Sequence, residues 1–141
     1  MKVKYPDTKP QFKKIDGQEQ IFCIIRKKWL LLTPEEWVRQ NFLLFLIHEL
    51  QFSSALIAVE KQIAVNDVKK RFDIVVYSNE MQPYVLIECK EMNVPLDEKA
   101  FLQALHYNSR VQSRFLVVTN GSQTFAFEKK GNDLVEVDQI Q

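Results

Sequence analysis

Short runs of alternating apolar and polar residues, broken by turn residues, dominate the chain, with one long run at helical spacing. Phe12 to Ile15 and Ile21 to Ile25 flank Asp16-Gly17, a hairpin signal. Thr33-Pro34-Glu35-Glu36 reads as a helix start, with a Thr cap, Pro in the first turn and Glu three residues after the cap. The pattern carries this helix to about Leu50, and its centre is apolar nearly all round, which predicts burial on more than one side. Leu56 to Val65 then reads as a strand. Arg71 to Tyr77 and Tyr84 to Lys90 flank the turn-rich Ser78 to Pro83, a second hairpin. A helix is expected from about Asp97, carrying Gln103 and Tyr107. Arg114 to Thr119 and Gln123 to Glu128 flank Asn120-Gly121-Ser122, and Leu134 to Val137 adds an edge strand. Residues 1–9 read as a flexible leader.

Three charged residues interrupt the apolar strands of the central hairpin. Strict alternation puts Tyr84, Leu86, Glu88 and Lys90 on one face and Val85, Ile87 and Cys89 on the other. It puts Asp73 with Val75 and Tyr77, opposite Phe72, Ile74 and Val76. Charges in apolar strands are costly unless paired or bound to metal. Two carboxylates and a lysine converging at one end suit a hard divalent cation, with an ammonium beside a reacting phosphate. The plainer alternative is a salt bridge of Lys90 with Asp73 or Glu88 at a sheet edge.

Asp73 followed by Glu88-Cys89-Lys90 resembles the signature of the PD-(D/E)XK nuclease superfamily. More narrowly, the chain resembles the N-terminal nuclease domain of type I restriction enzyme R proteins and its small stand-alone relatives. The supporting blocks are Ile21-Phe22 with Ile25-Arg26-Lys27-Lys28, then Leu32 to Gln40, Gln103 to Tyr107, and Thr119-Asn120-Gly121. The resemblance implies a restriction-endonuclease-like α/β fold: a central mixed sheet flanked by helices, with an αβββαβ core and an N-terminal β-hairpin. It implies Mg2+ or Mn2+ held by Asp73, Glu88, the carbonyl of Cys89 and Glu36. Lys90 then acts on the attacking water, and Gln103 and Tyr107 support it. It also implies DNA as substrate, a translocase or restriction-modification subunits as partners, and a homodimer where both strands are cut. Phe72 stands where the superfamily's name has proline, and Cys23 where an acidic or polar residue is expected. No Walker A loop is legible among three glycines, so ATP-driven cleavage does not carry over.

Composition adds bounds. The 141 residues suit one domain spanning 1–141, with residues 10–31 as its hairpin layer. At 46% hydrophobic and 26% charged, the chain is ordinary globular protein. Its longest apolar stretch, Phe42 to Ile47, is too short for a membrane span, and two isolated cysteines, Cys23 and Cys89, fit reduced thiols in the cytoplasm. The net charge of +1 argues for only modest affinity for DNA, although Lys and Arg outnumber acids in the first fifth of the chain. Glu35 precedes Arg39 by four, a favourable helical ion pair, and Glu36 doubles as the capping-box residue. Arg71 is expected to point with Asp73, and Glu60 to form a salt bridge or support the site. His48 and His106 lack the spacing of a metal pair. Two other readings stay open: a binding module that keeps the nuclease fold without turnover, and a stand-alone junction resolvase.

Overall fold

The protein is described by a computed structural model covering residues 1–65, 68–97, 99 and 113–141. Three short strands open the chain, β1 (Phe12–Ile15), β2 (Gln18–Cys23) and β3 (Lys28–Leu31), paired antiparallel in the order β1-β2-β3. The expected hairpin is there, and β3 extends it to a three-stranded sheet.

Helix α1 (Pro34–Leu44) begins as its sequence dictates. The Thr33 hydroxyl accepts the Glu36 N–H at 3.0 Å, and Pro34 needs no hydrogen-bond partner in the first turn. The helix was expected to stay α-helical to about Leu50. Instead its last turn widens into a π-helical segment over Phe45–Glu49, closed by the Leu50 N–H on the Phe45 carbonyl at 3.1 Å.

Six further strands form one mixed sheet: β4 (Ile57–Val65), β5 (Val68–Tyr77), β6 (Pro83–Cys89), β7 (Phe115–Thr119), β8 (Thr124–Lys130) and β9 (Asp133–Val137). They lie in sequence order, and only β6 and β7 run parallel. A parallel pair needs a long crossover, which residues 90–114 supply. The expected second helix, with Gln103, His106 and Tyr107, falls there and outside the described residues.

Both sheet faces are covered. On one, Val38, Phe42, Phe45 and Leu46 from the helical segment pack on Ile74, Val76, Val85, Ile87, Cys89 and Val117. On the other, Phe72, Val75, Leu86, Leu116 and Val118 form a second cluster with Ile63, Tyr77, Leu96 and Leu134. Central strands clad on two sides need apolar residues on both faces, as β7 has from Phe115 to Val118. The leader also lies down on this body. The Met1 ammonium donates to the Thr124 carbonyl at 3.1 Å, the Tyr5 hydroxyl donates to that of Gly121 at 3.2 Å, and Met1, Val3 and Tyr5 pack against the helix-side core.

One departure from strict alternation decides the site. Phe72 was expected to share a face with Ile74 and Val76, but packs with Val75 and Leu86 on the other side. The phase of β5 therefore slips at Asp73. Facing it in β4, between the pairs Val59–Ile74 and Lys61–Phe72, stands Glu60 with a φ of 51°. A left-handed residue inside a strand breaks the pleat, at a cost of about 1–2 kcal/mol for a side chain with a Cβ. The slip turns Asp73 toward α1 instead of leaving it with Val75 and Tyr77.

Candidate active site

Asp73 sits where β5 and β6 part. Their pairing ends at Ile74–Ile87, and beyond it Asp73 Oδ2 takes the Cys89 N–H at 2.7 Å, replacing a ladder bond with a charge-assisted one. Its other oxygen, Oδ1, accepts from Arg39 Nη2 of α1 at 3.0 Å. Arg39 Nη1 reaches Glu36 Oε1 at 2.8 Å, and Gln40, one turn on from Glu36, donates to Glu36 Oε2 at 3.1 Å. Glu35 Oε1 is 3.5 Å from Arg39, but its side chain is half exposed and lies at the rim.

A second guanidinium closes the cluster. The turn joining β2 to β3 presents Arg26, whose Nη1 donates to Glu60 Oε2 at 3.0 Å and whose Nη2 lies 3.8 Å from Glu36 Oε1. Glu60 Oε1 is also 3.6 Å from Arg39 Nη2. Asp73, Glu36 and Glu60 thus share two arginines, one from the helix and one from the small sheet. The Arg39 side chain is only 6% exposed, and the acids around it offset the burial and hold its proton more tightly than usual.

Glu88 points to the other side of β6, away from the arginines. Lys70 Nζ lies 3.5 Å from its Oε1, an ion-pair distance, yet that oxygen is buried without a hydrogen-bond partner among the described residues. Burial above all, then the Asp73 charge, push the Glu88 carboxyl up to about 7. Lys90 follows at the end of β6. Its N–H donates to the Thr119 carbonyl at 2.8 Å, and its ammonium forms no ion pair among the described residues. It is near enough to lower the carboxyls of Glu35 and Glu88, against the burial that raises both.

The Thr119-Asn120-Gly121 block holds this end of the sheet. Asn120 Oδ1 accepts the N–H groups of Ser122 and Gln123, while its amide donates to the Val94 carbonyl at 2.9 Å. Gly121 turns with φ 88°, and a Cβ there would meet Val38 at 3.3 Å. The block thereby ties the loop after Lys90 to β7 and α1.

Asp73 and Glu36 are therefore joined through Arg39 at one end of the sheet, Glu88 and Lys90 follow at the end of β6, and Gln103 and Tyr107 lie outside the described residues. The sequence pattern paired Arg39 with Glu35 alone, gave Arg26 no part in the site, and gave Glu60 a salt bridge or a supporting part. The available signal was the helical spacing: Arg39 stands three residues after Glu36 on a helix read as buried all round. His48 is exposed on the π-helical turn.

The model of the family described as type I restriction enzyme R protein N terminus (HSDR_N) matches residues 34–140. The chain belongs to this family. The matched region starts at the first residue of α1 and spans Asp73, Glu88 and Lys90, leaving out the turn that carries Arg26. Among solved structures, the chain is similar to a "putative nuclease belonging to DUF820" from Anabaena variabilis ATCC 29413. The identity is 13%, with 95% of this chain and 80% of that chain covered and a TM-score of 0.50. No curated protein matches. The fold is mixed α/β and nuclease-like, as the HSDR_N resemblance implied. Among the described residues, no helix is long and apolar enough to cross a membrane.

The residues can be weighed against a divalent cation. Among those described, no three His, Cys, Asp or Glu side chains are grouped to hold a metal ion. The hard oxygens of Asp73 and Glu88 and the Cys89 carbonyl are nonetheless the donor chemistry Mg2+ prefers, and Mg2+ usually takes one or two carboxylates and keeps its waters. The buried Glu88 Oε1, reluctant to ionise and held at ion-pair distance by Lys70 without a hydrogen bond among the described residues, is the atom a divalent cation would take from that lysine. The donor set fits.

Proposed function

We propose that this domain is a Mg2+- or Mn2+-dependent endonuclease that hydrolyses phosphodiester bonds in DNA. The observation that supports the reading most is Glu88, a buried carboxylate with a raised pKa that feels the Asp73 charge, at the strand end that carries Lys90. Its Oε1 lies at ion-pair distance from Lys70 but without a hydrogen bond among the described residues. Asp73, Glu88 and the Cys89 carbonyl would hold the ion, with Glu36 joining from α1. Such an ion, when bound, lowers the pKa of a water and neutralises charge on the phosphorane. Lys90 positions the attacking water and stabilises the added negative charge with its ammonium. Gln103 and Tyr107, four apart on one expected helix, orient the phosphate or Lys90. Arg39 and Arg26 hold Glu36, Glu60 and Asp73 in place. A second copy, or a translocase or restriction-modification subunit, would be needed to cut both strands. A cytoplasmic location suits the substrate.

The Arg39 bond to Asp73 Oδ1 favours one alternative, a DNA- or protein-binding module whose site stays closed by the arginine. Calorimetric titration with Mn2+ separates the two. The endonuclease reading expects binding that is lost in Asp73→Ala and Glu88→Ala. Heat that is absent in the unaltered protein, or unchanged in both variants, would favour the module.

A further inference from the structure

The long hairpin of β4 and β5 outruns the sheet it belongs to. The β5–β6 pairing stops at Ile74, whereas β4 and β5 continue together through five more pairs, Lys61–Phe72 to Val65–Val68. Among the described residues, no third strand flanks these pairs, which make a two-stranded arm roughly 16 Å long. It starts one residue beyond Glu60 on one strand and one residue before Asp73 on the other. Its base is anchored by Phe72, buried with Ile63 and Leu96.

The arm's charge is one-sided. Residues 61–72 contain Lys61, Lys69, Lys70 and Arg71 against a single acid, Asp67. Lys70 turns back to Glu88, but Lys61, Lys69 and Arg71 are exposed and form no ion pair among the described residues. Like charge concentrated on a narrow exposed ribbon raises a local positive potential that attracts an anionic partner. The chain's overall +1 hides this concentration.

We propose that the β4–β5 arm grips duplex DNA, with Lys61, Lys69 and Arg71 taking backbone phosphates beside the bond presented to Asp73 and Glu88. The proposal rests on the endonuclease reading and adds the surface that would bring substrate to it. A two-stranded ribbon has the width that the DNA major groove admits. Its only aromatic residue, Phe72, is 1% exposed, so the arm lacks the stacking platform that single-stranded binders use. It contacts phosphates, which fixes position without reading sequence.

The test is fluorescence anisotropy of a labelled duplex, without metal, across a salt series. It compares the unaltered protein with the triple variant Lys61→Ala, Lys69→Ala, Arg71→Ala and with a control carrying Lys14→Ala, Lys27→Ala and Lys28→Ala on the small sheet. The arm variant should bind about tenfold or more weakly, with a log–log salt slope shallower by roughly 2 to 3, one phosphate per cation removed. Its melting temperature and Mn2+ titration should stay as in the unaltered protein. Where the triple variant fails to fold, Lys69→Glu alone should still weaken binding, with a slope shallower by roughly 1. Unchanged affinity and slope, an equal loss in the small-sheet control, or tighter binding of the single strand would overturn the proposal. None of these bears on Mn2+ binding, so the arm and the metal site fail separately.

Discussion

Glu88 has its carboxyl pushed up by burial, and its pH dependence is the residue-scale signature of the site. Its carboxyl lies near 7 in the folded protein, above its ordinary 4.5. A raised carboxyl makes its stabilising contribution below about pH 4.5 and loses it as pH climbs through about 7. The full shift bounds the loss at about 3 kcal/mol. Glu88→Gln removes the charge without removing the volume. Its melting temperature should match the unaltered protein's near pH 5 and exceed it increasingly toward pH 8. A difference flat across that range would mean the carboxyl is not perturbed. Asp73, Glu88 and Lys90 were legible in the sequence because charges stand out in apolar strands. Arg26 and Arg39 were not. A surface-looking arginine and a buried one are the same letter, and only the fold places both against Glu36 and Glu60.

At the scale of elements, the hairpin of β4 and β5 carries the largest difference between pattern and structure. Alternation located β4 to within one residue but began β5 at Arg71, three residues after its start at Val68, and put Phe72 on the wrong face, because a period of two cannot show where the pleat slips. The slip depends on Glu60 holding a left-handed backbone, in a sequence with no glycine there to announce it. Two variants isolate that strain. Glu60→Ala and Glu60→Gly both lose the ion pairs to Arg26 and Arg39 and differ mainly in the left-handed conformation. Glu60→Gly should be more stable by roughly 0.5–1 kcal/mol in denaturant unfolding, the left-handed penalty less the extra entropy of glycine. Equal stability would mean that the backbone relaxes and the slip is not held there. Helix α1 was more legible: Thr33 and Pro34 fix its start by local chemistry. Its π-helical end has no comparable local signature.

Across the whole molecule, the site lies where three bodies meet. The six-stranded sheet supplies Asp73, Glu88 and Lys90; α1 supplies Glu36, Arg39 and Gln40; and the small sheet reaches in through Arg26. The order of a helix, three strands and a later strand was readable from the sequence, while the parallel pairing of β6 with β7 came from the structure. The small sheet's part was not readable, because it works through one side chain on a turn. The central claim is that this meeting point cuts DNA with a divalent metal. Its most direct test is conversion of supercoiled plasmid by the unaltered protein and by Lys90→Ala, each with Mg2+ or Mn2+ and with a chelator. The account predicts nicked or linear product from the unaltered protein only, and only with metal. Product that persists in Lys90→Ala, or in the presence of chelator, would contradict it.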